Sequence, residues 1–434
     1  MRRAGRRGIR LVTLQVDSLA FGGDGVGREE DGRVVFLPGT APGDLVEAWI
    51  VEEHSGYSRA EVARIVEPSP QRIEPSCPLF AAGCGGCQWP HVTIEAQREA
   101  KRTIVTSALR RATKDVEPVR APTADWQWRR RARLHWGRRD ERGAASLGYT
   151  ARRTHRLIAV ERCPQLEAQL EQALGVLQLE LVPHLFSAGE VWLLLGGRGE
   201  VHVAVVAKGI LFIEPAAAAL VGRGGIVGVA LRDGSRSTVF GAAEIDLADE
   251  DTPFFAAADT FAQASATGNG ELRRLVGEAA AVTASDRTLE LYAGSGNFTR
   301  DLARSAPSVV AVEEVATAVE LGTRNLGARG LAERVRWISR SAERAVADLA
   351  AAGETFDLVV LDPPRSGLPA ELVARLPELM ANRIVYVSCD PTTLGRDLAA
   401  LTATGSYRVT RVVPVDLMPQ TYHVEVVVKL ERVG

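Results

Sequence analysis

The sequence lacks long hydrophobic runs, is poor in cysteine and lysine, and carries almost no net charge. Its apolar stretches are far shorter than the roughly 20 residues of a membrane-spanning helix, so no membrane partner is expected. Residues 1–16 contain arginine but no apolar centre or cleavage site, which is a poor match to a secretory signal. A cytoplasmic protein is therefore expected. With 434 residues, the chain is too long for one compact core and should form two to four domains.

The net charge of −2 does not by itself predict a polyanionic partner, but the charge is unevenly distributed. The first ten residues hold five arginines and no acid. Residues 126–156 hold ten arginines against two acids, Asp140 and Glu141. Because a guanidinium makes bidentate contacts with phosphate and stacks on bases, both stretches are candidate contacts to a nucleic acid.

The pattern along the chain predicts three regions. Residues 9–67 alternate apolar and polar positions between turns, which is typical of a small antiparallel barrel. Prolines then mark a linker, and residues 94–112 have the pattern of a helix. We therefore predict a barrel at residues 1–67, an α+β central domain at 68–255 and an α/β domain at 256–434.

From Phe261 onward, strands and helices alternate, which predicts a parallel α/β sheet of Rossmann-like type. A final antiparallel hairpin is expected near residues 408–416 and 422–430. The parallel strands are expected at residues 288–292, 309–313, 335–339, 357–361 and 383–387.

Residues 289–299, Leu-Glu-Leu-Tyr-Ala-Gly-Ser-Gly-Asn-Phe-Thr, are typical of a strand, a tight loop and the start of a helix. Gly294 and Gly296 let the backbone turn sharply and approach a ligand. Glu313 ends the next predicted strand, where an acid can accept both hydroxyls of a ribose. A dinucleotide site needs a third glycine where Thr299 stands. An ordinary glycine turn is the alternative, but the position of the acid favours S-adenosylmethionine.

Asp362-Pro-Pro-Arg365 follows the fourth predicted parallel strand, so Asp362 is expected to face the cofactor or the substrate. Methyltransferases that modify exocyclic amines use a similar Pro-Pro element followed by an aromatic residue. Arg365 in that place disfavours an amino-methyltransferase.

Cys389 follows the fifth predicted parallel strand and precedes Asp390-Pro391, a plausible helix start that should lower the pKa of the thiol. A thiolate that attacks C6 of uracil makes C5 nucleophilic toward a sulfonium methyl group, and a base then removes the C5 proton. Glu425 is the candidate base and His423 is its rival. A buried, inert cysteine and a solvent-facing glutamate are the structural alternatives.

Four further cysteines form a group at Cys77, Cys84, Cys87 and, far downstream, Cys163. In a reducing compartment such spacing indicates metal ligands rather than disulfides. Both zinc and a [4Fe–4S] cluster take four thiolates. Zinc sites usually show two close pairs, so three ligands plus a distant one favour the cluster.

Taken together, these motifs resemble the RNA 5-methyluridine methyltransferase family, in particular its 23S rRNA (uracil-5-)-methyltransferase branch, over nearly the whole chain. The resemblance implies a TRAM domain at residues 9–67 and a basic central segment at Arg129-Arg-Arg-Ala-Arg-Leu. It implies that the four grouped cysteines hold a [4Fe–4S] cluster, that Cys389 is the nucleophile and that Glu425 is the base. The cofactor contacts that it implies are Gln263, Tyr292, Asn297, Glu313 and Asp362.

The sequence departs from the family pattern in four places. The spacing after Cys77 is one residue longer than expected, and Asp390 replaces a more usual asparagine. Ser265 and Ser341 also stand where relatives have asparagine, so neither serine is included in the expected site.

The expected function is methylation of C5 of a uridine in RNA, with S-adenosylmethionine as the methyl donor, by a monomeric enzyme. The order of domains favours 23S rRNA as the substrate, and tRNA is the alternative. A non-catalytic iron–sulfur RNA-binding protein is a third interpretation, although it has no need of Cys389, Asp362 and Glu425 together.

Overall fold

The computed structural model describes residues 10–137, 145–248, 252–403 and 405–433. The arginines before Arg10, and Arg138, Arg139 and Arg142 of the basic segment, lie outside the described residues. Within the described ranges, no helix combines the length and apolar character needed to cross a membrane. A closed barrel, a central seven-stranded sheet, a two-stranded ribbon and a second seven-stranded sheet follow one another along the chain.

The predicted small barrel is confirmed for the described residues 10–67, except that β3 and β5 pair in parallel rather than antiparallel. Its strands close in the order β1-β2-β3-β5-β4, so no edge strand is left unpaired. Alternate residues such as Leu14, Val16 and Val46 point inward and form a small core. The strands are β1 (Arg10–Leu19), β2 (Gly25–Arg28), β3 (Val34–Leu37), β4 (Leu45–Glu53) and β5 (Tyr57–Glu67).

Two helices follow the barrel, the single-turn α1 (Pro78–Ala81) and the long α2 (Ile94–Leu109). The predicted helix at 94–112 is confirmed except for its last three residues. Buried Trp89 lies between the barrel and α2, and its indole N–H donates to the carbonyl of Gly23 at 3.0 Å. The barrel is thus packed against the rest of the protein through apolar contacts and buried hydrogen bonds.

The central sheet has the order β12-β11-β10-β9-β6-β7-β8 and is antiparallel except between β10 and β11. Leu170, Leu174 and Leu177 of α3 pack on it. A short ribbon of β13 and β14 leads to the last region. The bounds are β6 (Arg131–Trp136), β7 (Leu147–Thr150), β8 (Leu157–Ala159), α3 (Ala168–Glu180), β9 (Gly189–Leu195), β10 (Val201–Val206), α4 (Glu214–Ala219), β11 (Ile226–Asp233), β12 (Arg236–Gly241), β13 (Ile245–Asp246) and β14 (Phe255–Ala256).

The C-terminal sheet has the order β17-β16-β15-β18-β19-β21-β20, with five parallel strands and a final antiparallel hairpin. Leu289 of β15 pairs with Val310 of β16 and Val359 of β18, and all three are buried on one face of the sheet. Helices cover both faces. The bounds are α5 (Ala266–Ala280), β15 (Arg287–Leu291), α6 (Thr299–Ser305), β16 (Ser308–Glu313), α7 (Ala316–Gly327), β17 (Val335–Ser339), α8 (Ala342–Ala351), β18 (Leu358–Leu361), α9 (Ala370–Arg375), β19 (Arg383–Ser388), α10 (Pro391–Ala403), β20 (Tyr407–Val415) and β21 (Glu425–Arg432).

The predicted parallel strands are confirmed to within one residue at each end. The order of strands reverses between β15 and β18, and such a switch point opens a crevice at the carboxyl ends of the strands. The last strand begins three residues later than predicted, because residues 416–424 form a separate segment that leads into Glu425.

Candidate active site

A cavity of about 260 Å³ opens at the switch point of the C-terminal sheet. Five of the expected cofactor contacts line it, namely Gln263, Tyr292, Gly294, Asn297 and Asp362. Apolar side chains next to the ribbon strands, Leu247, Ala248 and Phe254, also line it, as does Ala266 at the start of α5. The cavity is concave, partly apolar and equipped with a few converging polar groups, as a small-molecule site requires.

The backbone of the glycine loop adopts left-handed conformations at the cavity wall. Gly294 and Gly296 have φ of 55° and 91°, which a side chain would make costly. Tyr292 has a φ of 63° although it is not glycine, and strain of this kind concentrates at functional sites. The two glycines therefore allow the backbone conformation of the loop, and the surrounding structure holds Tyr292 in a left-handed conformation.

Glu313 fixes the glycine loop through hydrogen bonds to the backbone. One carboxylate oxygen accepts from the Gly294 N–H and the other from the Val315 N–H, each at 2.9 Å. Neither Glu313 nor Gly296 lines the cavity itself. The expected ribose contact of Glu313 stays a prediction, and its observed contacts fix the loop.

Asn297 is held by a partner that the sequence did not reveal. The side-chain amides of Asn297 and Asn269 exchange two hydrogen bonds of 2.8 and 2.9 Å across the cavity wall. Asn269 lies on the first turn of α5, whose start is capped by Ser265 through the Gly268 N–H at 3.1 Å. The departure from asparagine at position 265 thus places a helix cap beside the cavity.

Asp362, Cys389 and Glu425 meet where β18 and β19 end and the antiparallel β21 begins. Burial raises the pKa of Asp362 to about 7. Burial, with a further contribution from the charge of Asp362, raises the pKa of Glu425 to about 8. Arg365 lies close enough to oppose this shift, and its charge also acts on Cys389. The predicted nucleophile Cys389, the predicted base Glu425 and the predicted cofactor contact Asp362 therefore lie close enough for their charges to interact.

The expected lowering of the Cys389 pKa is wrong for the protein without ligands. The thiol does precede α10, and Asp390 caps this helix by accepting from the N–H groups of Thr392 and Thr393. Burial, followed by the charge of Glu425, nevertheless raises the pKa of Cys389 to about 12. Desolvation and neighbouring carboxylates both disfavour a thiolate. Together they outweigh the stabilisation that the N-terminus of α10 gives to the thiolate.

His423 is placed differently from Glu425. Burial, followed by the positive charge of Arg365, lowers the pKa of His423 to about 3. Its ring packs against Tyr422 with a centroid distance of 4.2 Å. An imidazole with so low a pKa is a weak base near neutral pH.

Sequence reasoning also missed Glu290, which lies on β15 just before the glycine loop. Burial raises the pKa of Glu290 to about 8, and the charge of Asp362 adds to the shift. One of its carboxyl oxygens has no hydrogen-bond partner among the described residues. Its position two residues before Tyr292 was the available signal, since acids at strand ends near a ligand loop are candidates for function.

The four grouped cysteines surround one small cavity between the barrel linker and the central sheet, and none forms a disulfide. Burial raises the pKa of Cys87 to about 12, and it raises the pKa values of Cys84 and Cys163 as well. The charge of Cys163 contributes to the shifts of the other two thiols. No group of three or more His, Cys, Asp or Glu side chains in the described ranges meets the requirements for holding a metal ion.

Two arginines of the basic segment, Arg131 and Arg133, lie on β6 of the central sheet. Arg131 and Arg133 stack on the ring of Trp192 at 5.1 and 4.7 Å from its centroid. Exposed Phe261, near the cofactor cavity, lies 5.9 Å from the guanidinium of Arg131. Planar cations and aromatic rings together form a surface on which unpaired bases can stack.

Comparisons with known proteins agree with this geometry. Residues 10–63 match the TRAM domain, and residues 240–433 match the tRNA (Uracil-5-)-methyltransferase family. An uncharacterized RNA methyltransferase of Gloeobacter violaceus is 36% identical over 97% of this chain and 96% of its own length. The 23S rRNA (uracil(1939)-C(5))-methyltransferase RlmD of Klebsiella pneumoniae is 33% identical over 97% of this chain and 96% of its own length.

Among solved structures, the Pyrococcus abyssi tRNA (uracil-54, C5)-methyltransferase, in complex with S-adenosyl-L-homocysteine, aligns with a TM-score of 0.75. The alignment covers 96% of this chain and all of that chain at 23% identity, which shows a common fold. Together with the family match and this common fold, the sheet order and the glycine-loop cavity place the chain in the class of S-adenosylmethionine-dependent methyltransferases. Within that class, the chain belongs to the RNA (uracil-C5-)-methyltransferase family and carries a TRAM domain at its N-terminus.

Proposed function

We propose that the protein methylates C5 of a uridine in 23S rRNA through a covalent bond between Cys389 and C6 of the base. The observation that carries the proposal is the grouping of Cys389, Asp362 and Arg365, which follow the carboxyl ends of β19 and β18, with Glu425 at the amino end of the antiparallel β21. Asp362 also lines the cofactor cavity, so the chemistry and the methyl donor share one crevice. The full-length similarity to the 23S rRNA enzyme of Klebsiella pneumoniae supports the choice of RNA.

The reaction begins when the sulfur of Cys389 bonds to C6 of the uracil ring. The electron pair of the C5–C6 double bond then makes C5 nucleophilic. S-adenosylmethionine, when bound, would supply the methyl group to C5 and leave as S-adenosylhomocysteine. Glu425 takes the proton from C5, the double bond re-forms, and the Cys389 thiolate leaves C6.

Two protons must leave the free site before this order can begin. Near neutral pH the Cys389 thiol is protonated, so it must release its proton to solvent before the sulfur bonds to C6. The charge of Arg365 favours the thiolate, whereas the charges of Glu425, Asp362 and Asp390 disfavour it. With a pKa of about 8, Glu425 is also mostly protonated near neutral pH and must release its proton to solvent before it can take the proton from C5. Once ionised, its carboxylate is a stronger proton acceptor than the imidazole of His423, whose pKa is about 3.

The target base must leave its stack to reach Cys389. We propose that the domain formed by residues 1–67, together with the arginine-bearing β6 of the 68–255 domain, binds the flanking RNA. The Arg131–Trp192 surface supports this because it adjoins the 256–434 domain through Phe261. We expect a monomer that meets its RNA in the cytoplasm.

We further propose that Cys77, Cys84, Cys87 and Cys163 hold a [4Fe–4S] cluster. The donor set fits, because four unpaired thiols surround one cavity. Three cysteines close together with a fourth far along the chain favour the cluster over zinc, whose sites usually show two close pairs. The cluster would join the cysteine loop to the central sheet. Anaerobically purified protein should bind about four irons per chain, and a colourless zinc protein would contradict the proposal.

One experiment tests the covalent step. RNA with 5-fluorouridine at the target position cannot lose fluorine from C5, so wild-type protein should form a complex that survives denaturing electrophoresis. The Cys389→Ala variant should bind S-adenosylmethionine normally and form no such complex. A trapped complex with Cys389→Ala would show that the nucleophile is another residue.

Transfer RNA is the second candidate substrate. The family model for residues 240–433 is described by tRNA methylation, and the Pyrococcus abyssi enzyme of common fold acts on tRNA. Mapping of 5-methyluridine in 23S rRNA and in tRNA from cells with and without the protein separates the two. Loss confined to tRNA would overturn the 23S rRNA assignment.

A further inference from the structure

Residues 416–424 connect β20 to β21 and end at Glu425, and buried groups from distant parts of the chain hold them. The backbone N–H groups of Gln88 and Trp89, which directly follow Cys87, donate to the carbonyl of Gln420 at 3.1 and 3.0 Å. The cysteine loop is therefore bonded to the segment that carries the candidate base.

Helix α2 holds the same segment by a reciprocal pair of amide contacts. The Gln420 N–H donates to Oε1 of Gln97 at 2.9 Å, and Nε2 of Gln97 donates to Oε1 of Gln420 at 3.0 Å. Nε2 of Gln97 also donates to the carbonyls of Trp89 and Val92 at 3.0 and 2.9 Å. Gln97 thus binds the cysteine loop and the base-bearing segment at once.

Two further side chains complete the attachment. Lys101, which is fully buried, pairs with Asp416 and donates to the carbonyl of Met418 at 3.1 Å. Gln165 of the central region contacts both the Cys87 sulfur, at 3.5 Å, and the carbonyl of Pro419, at 3.4 Å. The segment is thereby fixed on three sides by buried polar groups.

Gln420 itself has a φ of 68°, in the left-handed region, and only 4% of it is exposed. A non-glycine residue in this region costs roughly 1–3 kcal/mol and persists only where the surroundings impose it. Here both backbone groups and the side chain of Gln420 are engaged. Such strain, five residues before Glu425, points to a positional requirement rather than to stability alone.

We propose that Gln420 is a positioning residue for Glu425, and that the cysteine loop and Gln97 set the place of the base through it. The inference rests on the proposed role of Glu425 and adds to it a physical link between the cysteine site and the chemistry. An error of about 1 Å in the place of a reacting group can cost roughly 10²-fold in rate. The link should therefore act on the proton-removal step and not on attack by Cys389.

The first test separates these two steps. Gln97→Ala should form the adduct with 5-fluorouridine RNA at a rate within about twofold of wild type, because Cys389 is not on this segment. With natural uridine RNA it should release product roughly tenfold or more slowly, so that covalent complex accumulates as in Glu425→Gln. Gln420→Gly, which keeps the carbonyl and relieves the strain, should show the same split.

Gln178→Ala is the matched control, because its amide likewise donates to a backbone carbonyl, that of Val160 at 2.8 Å, but far along the chain from the active site. It should release product at the wild-type rate. Equal slowing of both steps in Gln97→Ala, or the same split in Gln178→Ala, would reduce Gln97 and Gln420 to structural residues and overturn the proposal.

The second test does not depend on activity. Amide hydrogen exchange in a peptide covering residues 416–424 should rise in Gln97→Ala and in Gln165→Ala, while a peptide covering β11 stays unchanged. Unchanged exchange at 416–424 in both variants would contradict the physical link. A separate outcome concerns the base itself. If Glu425→Gln accumulates no covalent complex with RNA, Glu425 is not the base, and this result differs from unchanged hydrogen exchange at residues 416–424.

Discussion

The glycine loop and the segment at residues 416–424 flank the same reaction centre but are built in opposite ways. The glycine loop comes from one stretch of chain, where Gly294, Gly296 and the start of α6 follow β15 directly. The segment is held by residues more than 300 positions away, such as Gln97 with Gln420 and Lys101 with Asp416. The glycine loop is a local motif, whereas the place of the base depends on contacts between distant parts of the chain.

Breaking the buried ion pair between Lys101 and Asp416, which holds the segment at residues 416–424, should have the largest effect on the free energy of unfolding. Lys101→Met leaves the buried carboxylate of Asp416 without its main partner, which typically costs about 3–5 kcal/mol. Chemical denaturation should show this loss. The double variant Lys101→Met with Asp416→Leu should recover most of it, because both charges are gone. A single variant as stable as wild type would mean that the distant contacts carry little energy.

The pH dependence of stability should change in Glu425→Gln. Burial raises the folded pKa of Glu425 to about 8 from an ordinary value near 4.5, so its favourable contribution is present at low pH and is lost as pH rises through that range. Glutamine does not titrate. The variant should therefore gain stability relative to wild type as pH rises from 5 to 8, by up to about 1.4 kcal/mol per pH unit. A constant difference across this range would contradict the raised pKa.

A substitution in the glycine loop should act locally. Gly296→Ala places a side chain at φ 91°, which costs roughly 1–3 kcal/mol, and it should weaken binding of S-adenosylhomocysteine by tenfold or more in calorimetry. Gly277→Ala in α5 is the control, because no heavy atom lies within 4 Å of the added Cβ and its φ is not positive. The control should bind as wild type does. Equal effects at both positions would argue against a shape requirement at the loop.

The smallest expected effect concerns the reactivity of Cys389. With a pKa of about 12, its alkylation by iodoacetamide should be slow and should rise through pH 9, as followed on its own peptide by mass spectrometry. Glu425→Gln removes a charge that disfavours the thiolate, so alkylation at pH 9 should be several-fold faster in the variant. Fast, pH-independent alkylation of wild type would instead indicate a thiolate stabilised by the helix start.

The comparison also explains which features could be predicted from sequence. The barrel, the five parallel strands and the glycine loop depend on short-range patterns, and these predictions were confirmed. The grouping of Cys389, Asp362 and Glu425 followed from motifs at strand ends and from the family resemblance. The Asn269–Asn297 and Gln97–Gln420 pairs could not be found, because an amide's partner depends on packing between elements that carry no common motif.

The pKa of Cys389 shows the same limit. Its position before α10 is local and was predicted correctly, but burial and the charge of Glu425 come from strands that are adjacent only in the folded protein. The local sequence predicted that the start of α10 lowers the pKa of Cys389. Burial and the charge of Glu425, which depend on the tertiary structure, raise the pKa by more.

The close crossing of α2 and α10 has one more consequence. A Cβ added at Gly395 would lie 2.2 Å from the carbonyl oxygen of Ala108, so the two helices touch backbone to backbone. Since α2 follows the barrel and α10 follows Cys389, the N-terminal module cannot swing as a tethered arm without separating these helices. The barrel, which packs on α2 through Trp89, is thus held at a fixed distance from the loop that carries Cys389, and we expect RNA to bind without a large swing of this module.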